Sequence, residues 1–77
     1  MKHDAEWFKR MVEETPEGSQ RQLAPKLMNS EGRPMDVASL NKIINGKQPM
    51  FVSDAVQLAK AFGCDVTEVI RRAGFRV

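Results

Sequence analysis

The sequence predicts an all-α domain, and three observations support this prediction. Apolar residues recur at helical spacing along the whole chain. The apolar stretches are set off by capping side chains at their starts and by glycine or proline turns at their ends. No segment offers the run of alternating or β-branched residues that a strand requires. The 77 residues allow one small domain, so we expect five short helices in a single unit, residues 1–77.

The first helix is predicted to begin at Asp4, whose carboxylate can cap it, and to end before Pro16 and Gly18. Its apolar stripe consists of Trp7, Phe8, Met11 and Val12. We expect Trp7 and Phe8 to lie in the core rather than to stack on nucleic-acid bases. The acidic residues Glu13, Glu14 and Glu17 are expected to form a solvated helix end.

The second helix is predicted to open with a capping box formed by Ser19 and Gln22. Its inward-facing residues are Leu23, Ala24 and Leu27. Pro25 lies past the first turn, where it removes a backbone donor, so we expect a kink or a shortened helix there.

Residues 29–34 have the composition of a turn, after which Asp36 can cap a third helix. Met35 is placed to pack on Leu40, and Asn45-Gly46 can close the helix. At 100° per residue the core side carries Leu40, Ile43 and Ile44. The opposite side carries Ala38, Asn41, Lys42 and Asn45, flanked by Val37 and Ser39. Small, amide and cationic side chains suit contact with base edges in a major groove, whereas the alternative is an incidental polar surface.

Two more helices complete the prediction. Ser53 is expected to cap the fourth, which carries apolar residues as far as Phe62 and stops at Gly63. Asp65 and Glu68 are expected to form a capping box for the fifth, which stops at Gly74.

Charge is unevenly distributed, although the net charge is only +2. Residues 19–49 hold five basic and two acidic side chains, which gives +3, whereas residues 1–18 sum to −2. A polyanion is expected to dock on the middle of the chain, unless that region is only a solvated face.

Several classes of protein are disfavoured by composition. One cysteine, Cys64, and one histidine, His3, can form neither an intramolecular disulfide nor a zinc site. Cys64 is expected to be buried filler. The apolar runs are too short to cross a bilayer, and the start of the sequence has no apolar signal core. We therefore expect a cytoplasmic protein with no metal, cofactor or small-molecule ligand and no enzymatic activity.

The order of these elements resembles the Cro and phage-repressor-like (lambda-repressor-like, XRE-type) helix-turn-helix family. Three segments carry the resemblance: residues 19–24, residues 39–47, and residues 55–64 with 66–70. It covers roughly residues 19–72 and places the motif at about 19–47. The resemblance implies a compact five-helix fold in which the third helix recognises DNA.

By that resemblance, the candidates for reading bases are Val37, Ala38, Ser39, Asn41 and Lys42. The candidates for phosphate contact are Gln20, Arg21, Arg33, Asn45, Lys47 and Gln48. In the family, the position of Gln20 both contacts a phosphate and buttresses the recognition helix. Val37 and Ala38 replace polar readers often found there, so they can pack on thymine methyl groups but cannot make bidentate hydrogen bonds.

The turn in this motif is about six residues longer than the family's tight turn. Two interpretations stay open for it. In one, Arg33 reaches an adjacent phosphate or the minor groove; in the other, the turn is a surface insertion with no partner.

The predicted function is sequence-specific binding of double-stranded DNA as a small transcriptional repressor of the phage Cro type. Such modules usually bind as dimers, and the expected dimer surface is the apolar chain end: Val69, Ile70, Ala73, Phe75 and Val77. The alternative is an antitoxin-like or adaptor-like module in which the same helix meets another protein.

Overall fold

The protein is described by a computed structural model that covers residues 2–29 and 31–74. The helices in these ranges are α1 (Ala5–Glu14), α2 (Gln20–Leu23), α3 (Val37–Ile44), α4 (Val52–Phe62) and α5 (Val66–Arg72). A 3-10 turn, Ala24–Lys26, follows α2 directly. The described residues contain no strand, only an isolated bridge between Met28 and Pro34. The predicted all-α fold class is confirmed.

The core lies where α1, α2, α3 and α4 meet, and α5 closes it against α4. Phe8 is fully buried, with Trp7 packed on it edge to face at 5.0 Å between ring centroids. Phe62 meets Trp7 in the same way at 5.7 Å. The two aromatic residues of α1 are therefore core residues, as predicted, and Cys64 packs half-buried at the edge of this core.

Pro25 shortens the second helix, as the sequence indicates. The Oγ of Ser19 accepts a hydrogen bond from the backbone of Gln22 at 3.3 Å, which opens α2. After one turn the chain tightens into the 3-10 turn that contains Pro25. Because proline cannot donate to the helical ladder, this change of geometry avoids a missing hydrogen bond inside an α-helix. Leu23, Ala24 and Leu27 are buried across the change.

The start of α4 differs from the prediction. Ser53 is not the cap: it is the second residue of a helix whose N-cap is Phe51. The carboxylate of Asp54 accepts a hydrogen bond from the backbone of Phe51 at 3.0 Å. Since Asp54 stabilises the chain at that point, the helix begins two residues earlier than the Ser53 cap would allow.

The cap of α5 is confirmed only in part. Asp65 accepts a hydrogen bond from the backbone of Thr67 at 3.2 Å, so it is the N-cap. The predicted partner Glu68 points away instead and accepts from the guanidinium of Arg72 at 2.9 Å. The guanidinium carries a full positive charge, whereas a backbone N–H offers only a dipole, so the ion pair with Arg72 attracts the carboxylate of Glu68 more strongly.

The start of the described chain is tied to its end through Asp4. Its carboxylate caps α1 by accepting from the backbone of Trp7 at 3.1 Å and pairs with Arg72 at 3.1 Å. The backbone of Asp4 also donates to the carbonyl of Arg72 at 2.8 Å. The hydrogen bond from Trp7, followed by that from Arg72, lowers the pKa of Asp4. Residues 2–4 are thereby anchored on α5.

Candidate nucleic-acid interface

Helix α3 divides cleanly into a buried side and an exposed side. Asp36 caps it by accepting from the backbone of Ala38 at 2.7 Å. Leu40, Ile43 and Ile44 are buried in the core. The exposed side chains are Val37, Ala38, Asn41 and Lys42. Four of the five predicted base-reading residues therefore share one accessible face.

Ser39, the fifth candidate, lies away from that face. It is half-buried, and its Oγ donates to the carboxylate of Asp36 at 3.4 Å. Together with Gln48 it lines a groove between α3, the long turn and the start of α4. Glu31 lines the same groove, so its negative charge opposes a phosphate there.

Gln20 braces the exposed face of α3 from the neighbouring helix. The side-chain amide of Asn41 donates to Oε1 of Gln20 at 3.1 Å. Both residues lie near the surface, which leaves the oxygen of Asn41 and the amide nitrogen of Gln20 open to a further partner. The pair holds the side chain of Asn41 in one orientation and links the first residue of α2 to the middle of α3.

The loop after α3 is fixed by hydrogen bonds from its own backbone. Asn45 donates to the carbonyl of Asn41 through both its backbone, at 3.0 Å, and its side chain, at 2.9 Å. Lys47 donates from its backbone to the carbonyl of Lys42 at 2.8 Å. Gly46 between them has φ +72°, a conformation that favours glycine. The side chain of Lys47 is therefore presented from an ordered backbone and is exposed.

The long turn of the motif is a small hairpin rather than a loose loop. Met35 donates to the carbonyl of Leu27 at 2.8 Å, and Asn29 donates to that of Arg33 at 2.8 Å. The side chain of Asn29 accepts from the backbones of Glu31 and Arg33 at 2.9 and 3.0 Å, which closes the tip. The side chain of Arg33 is exposed at this tip.

Helix α4 holds the hairpin in place through Gln57. Its amide donates to the carbonyl of Met28 at 2.8 Å and accepts from the backbone of the same residue at 2.6 Å. This pairing reproduces the two hydrogen bonds that one strand residue makes with a neighbouring strand. The hairpin is thus attached to α4, while its other end leads directly into α3.

The cations of the interface are available for an outside partner. Arg21, Lys42 and Lys47 are exposed and form no ion pair with a carboxylate among residues 2–29 and 31–74. By contrast, Lys26 approaches Glu17 at 3.9 Å, and Arg72 pairs with both Asp4 and Glu68. Other exposed cations, Lys2, Lys9, Arg10, Arg33 and Lys60, also form no ion pair among the described residues, so it is their position on α2, α3 and the loop after α3 that singles out Arg21, Lys42 and Lys47.

The predicted dimer surface is wrong for Val69, which is fully buried in the core because α5 turns this residue towards α4. Ile70 and Ala73 are half-buried, and Phe75 and Val77 lie outside the described residues. The two most exposed large apolar side chains of the described residues lie instead at the start of α4. Phe51 is 60% exposed and Val52 is 73% exposed, beside an apolar groove that Ile70 helps to line.

His3 is a structural residue of this region that sequence reasoning missed. Its Nε2 donates to the carbonyl of Ile44, the last residue of α3, at 2.6 Å. The ring stacks on Phe8 with 4.9 Å between centroids. No pattern near His3 in the sequence points to a partner 41 positions away.

Among residues 2–29 and 31–74, no helix is both long enough and apolar enough to cross a membrane. The same residues contain no cluster of three or more histidine, cysteine or carboxylate side chains suited to a metal ion.

No protein-family model, curated protein or solved structure matches the chain. The likeness to the Cro and phage-repressor family therefore remains a prediction from the sequence.

Proposed function

We propose that this protein binds double-stranded DNA through the exposed face of α3 and acts as a small transcriptional regulator of the Cro or phage-repressor type. The observation that carries the proposal is the composition of that face: Val37, Ala38, Asn41 and Lys42 are exposed together on a helix whose other side is core. Such a face contains no bulky or acidic side chain, so the helix can approach the floor of a major groove.

The same face supplies hydrogen bonds and apolar contacts to bases. Asn41 and Lys42 bring hydrogen-bonding groups to base edges, with Asn41 already oriented by Gln20. Val37 and Ala38, at the start of α3, offer methyl groups that pack on thymine. The preference for particular base sequences is therefore expected to come from a few hydrogen bonds together with apolar contacts to thymine.

The phosphate contacts are assigned to residues that border this face. Arg21 on α2 and Lys47 in the loop after α3 are exposed and form no ion pair among the described residues. Gln20 retains an amide donor that can reach a phosphate oxygen. Contacts of this type fix the register of a protein on DNA without reading its sequence.

We propose that two copies bind together. The described residues extend 29 × 26 × 20 Å, which is shorter than one helical turn of DNA at about 34 Å. One copy can therefore cover one half-site only. The exposed side chains of Phe51 and Val52, next to the apolar groove lined by Ile70, are the contact surface that the structure favours.

A second candidate function is docking to another protein, as in an antitoxin or adaptor. The specific observation in its favour is that α3 begins with two apolar side chains, Val37 and Ala38, of which Val37 is 40% exposed. An apolar helix start suits a protein groove as well as a row of thymine methyl groups.

Selection of binding sites from a random duplex library, followed by a salt titration on the enriched sequence, separates the two candidates. The DNA proposal predicts an enriched two-fold-symmetric site whose affinity falls steeply with salt. If no sequence is enriched and binding is weak and independent of sequence, the proposal is contradicted and α3 is better explained as a protein-docking surface.

A further inference from the structure

The N-terminal segment, residues 2–4, lies against the end of the recognition helix. His3 donates to the carbonyl of Ile44 at 2.6 Å. This carbonyl belongs to the last turn of α3, where carbonyl groups have no hydrogen-bond donor within the helix. The imidazole ring lies flat on Phe8, with 7° between the ring planes. His3 is therefore held by one hydrogen bond and one stacking contact.

The loop after α3 also packs against the His3 ring. A Cβ added at Gly46 would lie 2.8 Å from Cγ of His3, closer than real Cβ contacts come. The loop backbone thus rests directly on the imidazole. Because Asp4 is fixed to Arg72 in the next position, the segment cannot swing away from the loop without breaking that pair as well.

Lys2 directly precedes His3, whose ring contacts Gly46 in the loop that carries Lys47. Lys2 is exposed and shares a shallow groove with His3 and Arg71. The acidic groups nearest to it are already engaged, since Asp4 and Glu68 both accept hydrogen bonds from Arg72. Lys2 forms no ion pair among the described residues, so its positive charge can attract an outside anion.

We propose that Lys2 is a further phosphate contact of the DNA interface, and that His3 is the positioning residue that holds Lys2 and the loop of Lys47 side by side. The inference rests on the proposed DNA-binding function and extends its phosphate contacts from residues 45–48 to the N-terminal segment. The ligand is a backbone phosphate, recognised by charge and independent of base sequence.

Lys2→Ala tests the contact, with Lys60→Ala as its matched control. Lys60 is an exposed lysine on α4 that borders a different groove, with Glu17 and Gln57. Lys2→Ala is expected to weaken binding to all duplexes alike and to reduce the slope of log affinity against log salt by about 0.9. Lys60→Ala should leave the slope unchanged. If Lys2→Ala and Lys60→Ala have the same duplex affinity and the same salt slope, the inference is overturned.

His3→Ala in combination with Lys2→Ala tests the positioning role. If His3 acts by placing Lys2, the Lys2 substitution should reduce the salt slope in the parent but have little further effect in the His3→Ala background. A purely structural His3 would lower stability while the effect of Lys2→Ala stayed the same, which contradicts the role. Far-UV circular dichroism of each variant ensures that folded proteins are compared.

Failure of the inference and failure of the proposed function give different results. Suppose that the parent protein binds DNA with a steep salt dependence and that Lys2→Ala has the same affinity and salt slope. This result overturns only the N-terminal contact. A parent protein with no salt-dependent DNA binding overturns both.

Discussion

Lys42 and Lys47 carry the same charge but are presented in different ways. Lys42 projects from the exposed face of α3, whereas Lys47 projects from the loop that follows it. In the proposed complex with DNA, we expect Lys42 to reach base edges and Lys47 to contact a phosphate. The two residues therefore separate sequence preference from overall affinity.

Lys42→Ala is expected to cost about 1–3 kcal/mol on the preferred site and to relax preference at particular base pairs. Lys47→Ala should weaken binding to all sequences similarly and lower the salt slope by about one unit. Equilibrium binding to the preferred and a scrambled duplex, at several salt concentrations, measures both effects. A Lys42→Ala protein with unchanged affinity and preference would show that the recognition face is assigned wrongly.

Residue-scale features were predictable where their partners lie within one helical turn. Asp4, Ser19, Asp36 and Asp65 all accept backbone hydrogen bonds two or three residues ahead, as their positions indicate. The contact of His3 with Ile44 depends on how α1 and α3 pack, so no local sequence pattern predicts it. Ser53 was misassigned because Asp54, one residue later, stabilises an earlier start.

In the hairpin between the two motif helices, the described residues on either side of the tip are joined mainly by Asn29. Its side-chain oxygen accepts two backbone hydrogen bonds at the tip, and Gln57 fixes the base to α4. The sequence indicated a turn at residues 29–34, yet the attachment to Gln57 spans 29 positions and needed the structure. An ordered hairpin presents Arg33 in a defined place beside the start of α3.

We expect the hairpin to assist DNA binding through Arg33. Arg33→Ala should then lower affinity for all duplexes and reduce the salt slope, because one positive charge is lost. Asn29→Ala keeps that charge but removes two acceptor bonds, with an expected stability cost of about 1 kcal/mol. It should weaken binding less than Arg33→Ala does. If neither variant alters DNA affinity, the hairpin is a surface insertion without a role in binding.

The link between the start of α1 and the end of α5 makes stability depend on pH. The backbone of Trp7 and the guanidinium of Arg72 both favour the ionised form of Asp4, so its pKa is lower in the folded protein than in the unfolded chain. The resulting stabilisation is present above the unfolded pKa and is lost as pH falls through the folded pKa.

Asp4→Asn isolates this charge, because asparagine still caps a helix well. The variant should be less stable than the parent at neutral pH, and the difference should shrink towards about pH 2. Urea unfolding followed by the fluorescence of Trp7, the single tryptophan, measures the free energy of unfolding at each pH. A difference that stays constant over this range would show that the carboxylate charge does not stabilise the fold.

For the whole molecule, the proposed dimer depends on the exposed apolar side chains at the start of α4. Val52 is 73% exposed at the start of α4, and Phe51 beside it is 60% exposed. The sequence predicts the dimer surface at the apolar chain end, from Val69 to Val77, because so small a core is expected to have little left to bury it. The structure contradicts this prediction at Val69, which is completely buried.

Val52→Asp is expected to weaken self-association and, with it, binding to a two-fold-symmetric site. The substitution puts a charge into the proposed apolar contact, and because Val52 itself is 73% exposed the stability of the monomer should change little. Sedimentation of the parent and the variant measures the association directly, with the exposed Lys60→Ala as a control. A variant that dimerises like the parent would place the contact elsewhere.

The central claim is that the exposed face of α3 is the surface that meets DNA, and backbone amide chemical-shift mapping with a duplex of about 20 base pairs tests it most directly. The account predicts that the largest shifts cluster at residues 37–42 and at Lys47, with Gln20 at their border. Shifts concentrated on α4 and α5, or an absence of shifts at low salt, would contradict it.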